Sequence, residues 1–384
     1  MYTGRHGQSV NAEPDSLEVD GNRLTLLIEA GDRLTSLLAL IDGARRSLRL
    51  LYYIFADDRS GRMVRDALLA ACARGVTVSL IIDGFGSAPS AAFLQPLSDA
   101  GVDLCRFLPR YGRRYLLRNH QKLALADETR VIIGGLNVED AYFEEANGWR
   151  DLGLLVEGPA AGRLTGYFDT LSAWTKKPKA RMRDLRRALR RWSEPAGQVR
   201  WLLGGPARRL NPWARAVRDD LRRATCVALI AAYFAPSPAL LRRLDKAGRR
   251  GTARIITASK SDNTTTIAAA RFTYRGLLKK GVRIFEYQPS KLHTKLFIID
   301  DAVHIGSANF DMRSLFLNME LMLRIEDKAF ANRLRALFEH EVADSLEITR
   351  AETGWLARAR NALAYFLVSV VDYGVTRRLN IDAD

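Results

Sequence analysis

Apolar residues along this chain fall into short runs broken by glycine, and the runs follow a set order. Residues 44–55, "ARRSLRLLYYIF", predict a helix end followed by a buried strand rich in Leu, Tyr and Ile. Residues 61–75, "GRMVRDALLAACARG", space their apolar positions as a helix that stops at Gly75. "VTVSLIIDG" at 76–84 predicts a strand closed by Asp-Gly, and "LQPLSDAGVDLCRFLP" adds a helix, a glycine stop and a strand. "NHQKLALADETRVIIGGLN" follows at 119–137.

The second half replays this order. A strand is predicted at 225–236, a helix ending in glycine at 237–251 and a strand at 252–259. Helix, glycine and strand return at 274–289, followed by "LHTKLFIIDDAVHIGSAN" at 292–309. Alternating helices and strands predict an α/β fold with sheets covered on both faces, and two similar halves predict two such domains. The chain divides into a polar N-terminal segment 1–25, a first domain 26–175, a basic linker 176–198, a second domain 199–350 and a C-terminal helical segment 351–384.

Charge narrows the partners. The 384 residues carry 59 Lys+Arg against 43 Asp+Glu, a net +16 that favours anionic partners: nucleic acid, an anionic membrane surface or phosphorylated substrates. Half of that surplus sits in "KKPKARMRDLRRALRRW" at 176–192, with nine positive charges and one negative. That segment reads either as a solvated linker helix or as a polyanion-binding patch. Cys72, Cys105 and Cys226 are far apart, so neither a disulfide scaffold nor a zinc site is suggested, and a reducing compartment fits best. The N-terminus lacks the apolar core of a signal peptide. The most apolar run, 362–371, is shorter than the ~20 residues that span a bilayer. It reads as a packed terminal helix or, given flanking Arg358, Arg360, Arg377 and Arg378, as an interfacial anchor.

The chemistry lies in the duplicated stretch. His120-x-Lys122 is followed by Asp127, Gly134, Gly135 and Asn137; His293-x-Lys295 is followed by Asp300, Gly306, Ser307 and Asn309. Positions i and i+2 of a strand share a face, so each His and Lys point together while Leu123 and Leu125, or Leu296 and Ile298, enter the core. Each Asp falls at a turn, the glycines admit a ligand close to backbone, and each Asn supplies amide donors. If the halves meet about a pseudo-twofold axis, two imidazoles, two ammonium groups and two amides converge. Such a set suits a phosphoryl group: one neutral His attacks phosphorus and the other, protonated, serves the leaving alcohol. No metal or other cofactor is needed for charge neutralisation. Asp151, 31 residues after His120, and Glu320, 27 after His293, are candidates to orient the histidine of their own half. His304 has no counterpart in the first repeat and reads as structural, and His6 has no context.

The duplicated HxKxxxxD with G(G/S)xN resembles the phospholipase D superfamily over roughly residues 30–350. "YYIFADDRSGR", "IIGGLNVED", "WRDLGLLVEGP" and "IGSANFDMRSLFLNME" are similar to bacterial cardiolipin synthases of the short type without N-terminal transmembrane helices. The resemblance implies two phospholipase D-like α/β domains, each a mixed sheet flanked by helices, sharing one active site. It implies metal-independent transfer of a phosphatidyl group through a phosphohistidine, with His120 the nucleophile and His293 the acid. Lys122, Lys295, Asn137, Ser307 and Asn309 would hold the phosphate; Asp127 and Asp300 complete the motif, in a usually structural role. Gly135 departs from the Ser307 pattern, so the halves need not contribute equally. The implied partners are phospholipids and an anionic membrane surface, with peripheral attachment to the cytoplasmic face of the inner membrane. Hydrolysis to phosphatidic acid is the alternative. Nucleic acid comes after these, because no aromatic-and-basic stacking pattern is present.

Overall fold

The computed structural model describes residues 16–87, 89–107, 117–207, 210–351 and 354–371. The first half contributes strands β1 (Ser16–Val19), β2 (Asn22–Leu27), β3 (Ser47–Tyr52), β4 (Thr77–Asp83), β5 (Asp103–Phe107), β6 (Leu123–Ala126), β7 (Arg130–Gly134) and β8 (Gly153–Glu157). Its helices are α1 (Ala30–Asp42), α2 (Arg59–Ala73), α3 (Ala91–Asp99) and α4 (Pro159–Lys176), and α5 (Met182–Trp192) follows. The second half contributes β9 (Val199–Gly204), β10 (Cys226–Ala231), β11 (Phe234–Ala235), β12 (Thr252–Ala258), β13 (Arg283–Tyr287), β14 (Lys295–Ile299), β15 (Ala302–Gly306), β16 (Phe310–Asp311), β17 (Glu320–Glu326) and β18 (Ser345–Ile348). Its helices are α6 (Pro212–Arg223), α7 (Pro238–Arg250), α8 (Thr264–Leu278), α9 (Met312–Phe316), α10 (Lys328–Ala343) and α11 (Trp355–Phe366).

Two eight-stranded mixed sheets result. The first runs β1-β2-β8-β7-β6-β3-β4-β5, and the second runs β18-β13-β12-β10-β14-β15-β17-β9. Read from the opposite edge, β9-β17-β15-β14-β10-β12-β13 of the second repeats β2-β8-β7-β6-β3-β4-β5 of the first. Three parallel strands (β3-β4-β5, β10-β12-β13) adjoin a run of antiparallel ones (β6-β7-β8-β2, β14-β15-β17-β9). The parallel strands need crossover helices, which is where the sequence places helical patterns between β-runs. β1 extends one edge of the first sheet and β18 the opposite edge of the second. Residues 16–25 of the polar N-terminal segment thus supply β1 and part of β2.

The duplicated motif occupies the centre of each sheet. Leu123 and Leu125 on β6, and Leu296 and Ile298 on β14, are buried in one core cluster shared by the two halves. That core also takes Leu164, Tyr167 and Phe168 of α4 and Leu334 and Phe338 of α10, so the two sheets meet across it. Separate clusters cover the outer faces, with α1, α2 and α3 on the first sheet and α6, α7 and α8 on the second. Burial of this kind stabilises by roughly 25 cal/mol per Å² of apolar surface. It fixes the halves against each other, and with them the site between.

Two segments left open by sequence acquire definite environments. In the basic linker, α5 buries Met182, Leu185, Ala188 and Leu189 and turns Arg183 and Arg187 outward. The C-terminal run forms α11 and a short π-helical turn, Leu367–Val371, on α8. Arg377, Arg378 and His6 lie outside the described residues. Among the described residues no helix is long and apolar enough to cross a membrane.

Candidate active site

His120 and Lys122 lie in an extended lead-in just before β6, not within it; His293 likewise precedes β14, which begins at Lys295. The alternation expected of a strand nevertheless holds, because the lead-ins are straightened by pairing with the other half. Asn119 bridges Met319, and Arg150 bridges Leu292. The His120 N–H donates to Met319 O at 2.9 Å and the Met319 N–H to Arg118 O at 2.9 Å. The His293 N–H donates to Arg150 O at 2.7 Å and the Arg150 N–H to Lys291 O at 2.8 Å. These matched bridges place each histidine beside a carboxylate of the opposite half.

The orienting pairs are therefore crossed. His120 Nδ1 lies 3.1 Å from Glu320 Oε2, and His293 Nδ1 lies 2.7 Å from Asp151 Oδ2. The within-half pairing expected from the sequence, Asp151 with His120 and Glu320 with His293, is corrected to the reverse. A carboxylate accepts, so Nδ1 carries the proton and the lone pair stands on Nε2 of each ring. Both carboxylates are fully buried. Burial by itself would raise them, but Lys295 and His293 hold Asp151 below the usual range, and His120 and Lys122 do the same for Glu320.

The lysines are buried with them. Lys122 Nζ donates to His120 O at 2.7 Å; Lys295 Nζ donates to His293 O and lies 2.8 Å from His293 Nδ1. Burial brings Lys295 down to about 8 and Lys122 well below its ordinary value, against the pull of the carboxylates. Burial and the adjacent lysine lower both imidazoles, His293 to about 3. Both rings are therefore neutral at pH 7 in the free site. Each histidine feels the lysine of the other half as well as its own, so the two motifs share one electrostatic unit.

The remaining motif residues divide. Asn137 donates through Nδ2 to Tyr142 Oη at 2.7 Å and accepts from the Ile54 N–H at 3.2 Å, leaving one amide hydrogen. Asn309 is buried and its Oδ1 has no protein partner. Ser307, expected on the phosphate, is turned to another use. Its hydroxyl donates to Glu320 Oε2 at 2.5 Å and accepts from the Leu321 N–H at 3.0 Å, so its single hydrogen is spent on the carboxylate that holds His120.

Asp127 and Asp300, grouped above with the catalytic motif, stand at the far ends of β6 and β14. Asp127 accepts from the Arg45, Arg46 and Ser47 N–H groups at 2.8, 2.7 and 2.9 Å, and Asp300 from those of Thr225 and Cys226 at 3.0 and 2.8 Å. Burial opposes ionisation of Asp127, but these donors keep it below the usual range. Each carboxylate pins a left-handed turn, φ 52° and 49°, to the start of the neighbouring strand. They build the fold and lie outside the chemistry, in the structural role that the resemblance gives them.

Other residues escaped the motif. Tyr53 packs edge-on against His120 at 5.2 Å, and Tyr142 and Trp149 each lie 5.1 Å from His293. The buried Arg33 guanidinium donates to the Tyr142, Trp149 and Asp151 carbonyls, fixing the segment that serves His293. Asp83 accepts from the Asn119 N–H at 2.7 Å and from Phe85 and Gly86, tying the rim loop to the His120 lead-in. "WRDLG" puts Trp149 two residues before Asp151, whereas nothing local marks Tyr53, Arg33 or Asp83. His304 is structural as read: its Nε2 lies 2.7 Å from Asp220, which also binds Arg324.

The fold and the crossed pair of HxK motifs define a duplicated phospholipase D-like enzyme. A family profile described as "Cardiolipin synthase, PLD-like domain" matches residues 37–172 and 217–342. Cardiolipin synthase A of Pseudomonas entomophila is 31% identical over 345 residues, covering 86% of this chain and 71% of that protein. Cardiolipin synthase 2 of Bacillus anthracis is 31% identical over 329 residues, covering 81% and 63%. The crystal structure of phosphatidylserine synthase from Haemophilus influenzae superposes with a TM-score of 0.72 over 96% of this chain and 97% of that one, at 13% identity, which speaks to the fold alone. The chain belongs to the phospholipase D-like family in its cardiolipin synthase branch, and it is an enzyme of the phosphatidyltransferase type.

Proposed function

We propose that this enzyme makes cardiolipin by moving a phosphatidyl group from one phospholipid, phosphatidylglycerol or phosphatidylethanolamine, to the hydroxyl of phosphatidylglycerol. The reading is carried by the crossed His–carboxylate pairs, which leave Nε2 of both rings to react while Lys122, Lys295, Asn137 and Asn309 supply donors for the phosphate oxygens. His120 Nε2 attacks phosphorus, the bond to the departing head alcohol breaks, and His293 gives that oxygen its proton. The phosphodiester's negative charge raises His293 from its low free-site value, which favours its protonated form in the complex. The acceptor hydroxyl then gives its proton to His293 and attacks phosphorus. The P–N bond breaks and both rings return to their starting state. Two neutral steps around a covalent intermediate replace one difficult exchange between alcohols.

The setting is the cytoplasmic face of the bacterial inner membrane, with the protein attached peripherally. The arginines on the outer side of α5 support attraction to anionic lipid, each worth ~1 kcal/mol near such a surface. The test is incubation of purified enzyme with phosphatidylglycerol vesicles, with and without phosphatidylethanolamine, followed by lipid mass spectrometry. Cardiolipin with released glycerol or ethanolamine is expected. Phosphatidic acid alone would identify water as the acceptor, and absence of lipid turnover with cleavage of DNA would overturn the reading.

A further inference from the structure

Helix α11 buries small and polar side chains and leaves its large apolar ones outside. The residues it buries are Asn361 and Ala364, the latter against Ala269 of α8 and Ala235. Its large apolar side chains face outward: Trp355 is 74% and Leu356 65% exposed, and Leu363, Phe366 and Leu367 are exposed as well. With Phe272 on α8 they make up six of the nine exposed large hydrophobic side chains among the described residues. Leu356, Leu363 and Leu367 share one helical stripe, and Trp355 and Phe366 fall on the stripe beside it. Scattered apolar side chains on a surface need no explanation, but a stripe of this length on one face does.

The surroundings limit what can cover it. Arg271 and Arg275 on α8 and Arg358 and Arg360 on α11 border the face and line cavities of about 460 Å³ between the two helices. One of these cavities opens at Ser259 and Thr264, which flank the loop carrying Asp262. Asp262 accepts from Tyr233 Oη at 2.7 Å, and the Tyr233 carbonyl accepts from the Phe310 N–H at 3.1 Å, so the loop stands beside Asn309 at the rim of the active site. Tyr365 Oη donates to Pro236 O at 2.9 Å, tying α11 to the strand region beside that rim.

We propose that the α8–α11 face is a lipid-docking surface. The Trp355, Leu356, Leu363 and Phe366 side chains enter the boundary between headgroups and acyl chains of an anionic bilayer, and Arg275 and Arg358 meet lipid phosphates, while Arg271 stays paired with Glu286. An apolar stripe rimmed by arginine fits a membrane interface by both charge and polarity. Its position beside the catalytic rim lets a phosphodiester pass from the bilayer to His120 and His293 without its acyl chains crossing water. The surface deepens the reading of the enzyme as one that works on membrane phospholipid and rests on that reading for its purpose, but its docking is measurable without any turnover.

The experiment uses the full chain. Wild-type protein is expected to co-sediment with vesicles containing phosphatidylglycerol and much less with phosphatidylcholine alone. The Leu356→Asp/Leu363→Asp variant is expected to lose roughly tenfold or more of that partition, since two apolar side chains leave the lipid boundary and two negative charges enter it. Turnover of vesicular phosphatidylglycerol should fall in parallel, while turnover of monomeric short-chain phosphatidylglycerol stays within about twofold of wild type. Brominated lipids should quench wild-type fluorescence more than that of Trp355→Phe, a measurement that does not depend on the folding of the aspartate variant. Unchanged sedimentation of the double variant, equal quenching of Trp355→Phe, or a lipid-free dimer that the double variant breaks would overturn the proposal. The last would assign the face to a second copy of the chain. Intact docking with no lipid turnover would instead sink the proposed reaction and leave the surface standing.

Discussion

On one side of the site a glutamate reaches across to His120 and carries a serine hydroxyl on its carboxylate. On the other an aspartate reaches across to His293, with a glycine lying against it. The two arrangements come from matched strands in matched sheets, yet the side chains differ at two places at once. A Cβ on Gly135 would stand 2.5 Å from both oxygens of Asp151, so the shorter acid occupies the room that a serine side chain would need. Glu320 is one methylene longer, and there Ser307 fits and donates to it. The "GG" of one motif and the "GS" of the other are therefore tied to the identity of a carboxylate in the same half, which serves the histidine of the other half. Residue choice in one repeat is compensated by residue choice elsewhere.

The difference reaches the histidines. His293 is the more enclosed, with its side chain 7% exposed against 13% for His120, and it lies between Trp149 and Tyr142. Removing either ring is the strongest way to break the comparison. His120→Ala and His293→Ala should each lower turnover by ~10³-fold or more, and surviving activity in either would refute a two-histidine mechanism. Mass spectrometry of the wild type, quenched in denaturant at alkaline pH where a P–N bond survives, should locate the phosphatidyl group on His120. Finding it on His293 would reverse the assigned roles.

The crossing of the carboxylates is tested next. Asp151→Asn and Glu320→Gln should each cost on the order of 10²–10⁴ in kcat, because an amide no longer fixes the Nδ1-protonated tautomer. Imidazole ¹⁵N spectra should show Glu320→Gln perturbing His120 and Asp151→Asn perturbing His293. The opposite correspondence would restore pairing within each half. The glycine–serine exchange gives a smaller effect. Gly135→Ser should destabilise by ~1–3 kcal/mol through overpacking against Asp151, and Ser307→Gly by about 1 kcal/mol, both read from thermal unfolding. Equal costs would show that the two positions are not matched to their acids.

The smallest effect is a change of pH profile. Lys295 is lowered to about 8 in the free enzyme, so its positive charge is present below that pH and is lost as pH rises through it. In the wild type kcat/KM should fall above about pH 8, and Lys295→Arg, weaker at neutral pH, should lose the part of that alkaline limb that Lys295 carries while keeping the part due to Lys122. His293 works in the other direction on stability. Its folded value lies below its unfolded one, so the unfolded chain binds the extra proton between ~6.5 and about 3, and stability declines as pH falls through that window. His293→Gln should flatten that decline.

Much of this was legible because repetition of a local pattern has local causes. The alternation in "HQKLALAD" placed Leu123 and Leu125 in the core and His120 with Lys122 on the other side, and the structure keeps that division even though the strand begins only at Leu123. Helix stops at Gly75 and Gly281 follow from backbone angles of φ 85° and 80° that glycine adopts freely. Asp127 and Asp300 share the motif's spacing with the chemical residues, and their place at a turn was legible, but the backbone N–H groups they hold lie at the starts of neighbouring strands that only the fold brings to them. Ser307 looked like a phosphate donor because its hydroxyl is near the motif, but where its hydrogen goes depends on Glu320. Arg33, far upstream on α1, had no signal, since its task is to hold carbonyls of residues 142–151 that only the fold brings to it.

The sequence by itself determined that there are two copies of one α/β unit, that each presents an imidazole and an ammonium group from the same short segment, and that the chemistry is that of a phosphoryl group. Period and spacing are properties of neighbours along the chain, so they survive without knowledge of the fold. Only the tertiary structure decided which acid serves which histidine. That choice is made by two bridges, Asn119 to Met319 and Arg150 to Leu292, between residues 200 and 142 positions apart. Those bridges exist because the hydrophobic faces of two sheets are buried against each other, and burial joins surfaces without regard to their order in the chain.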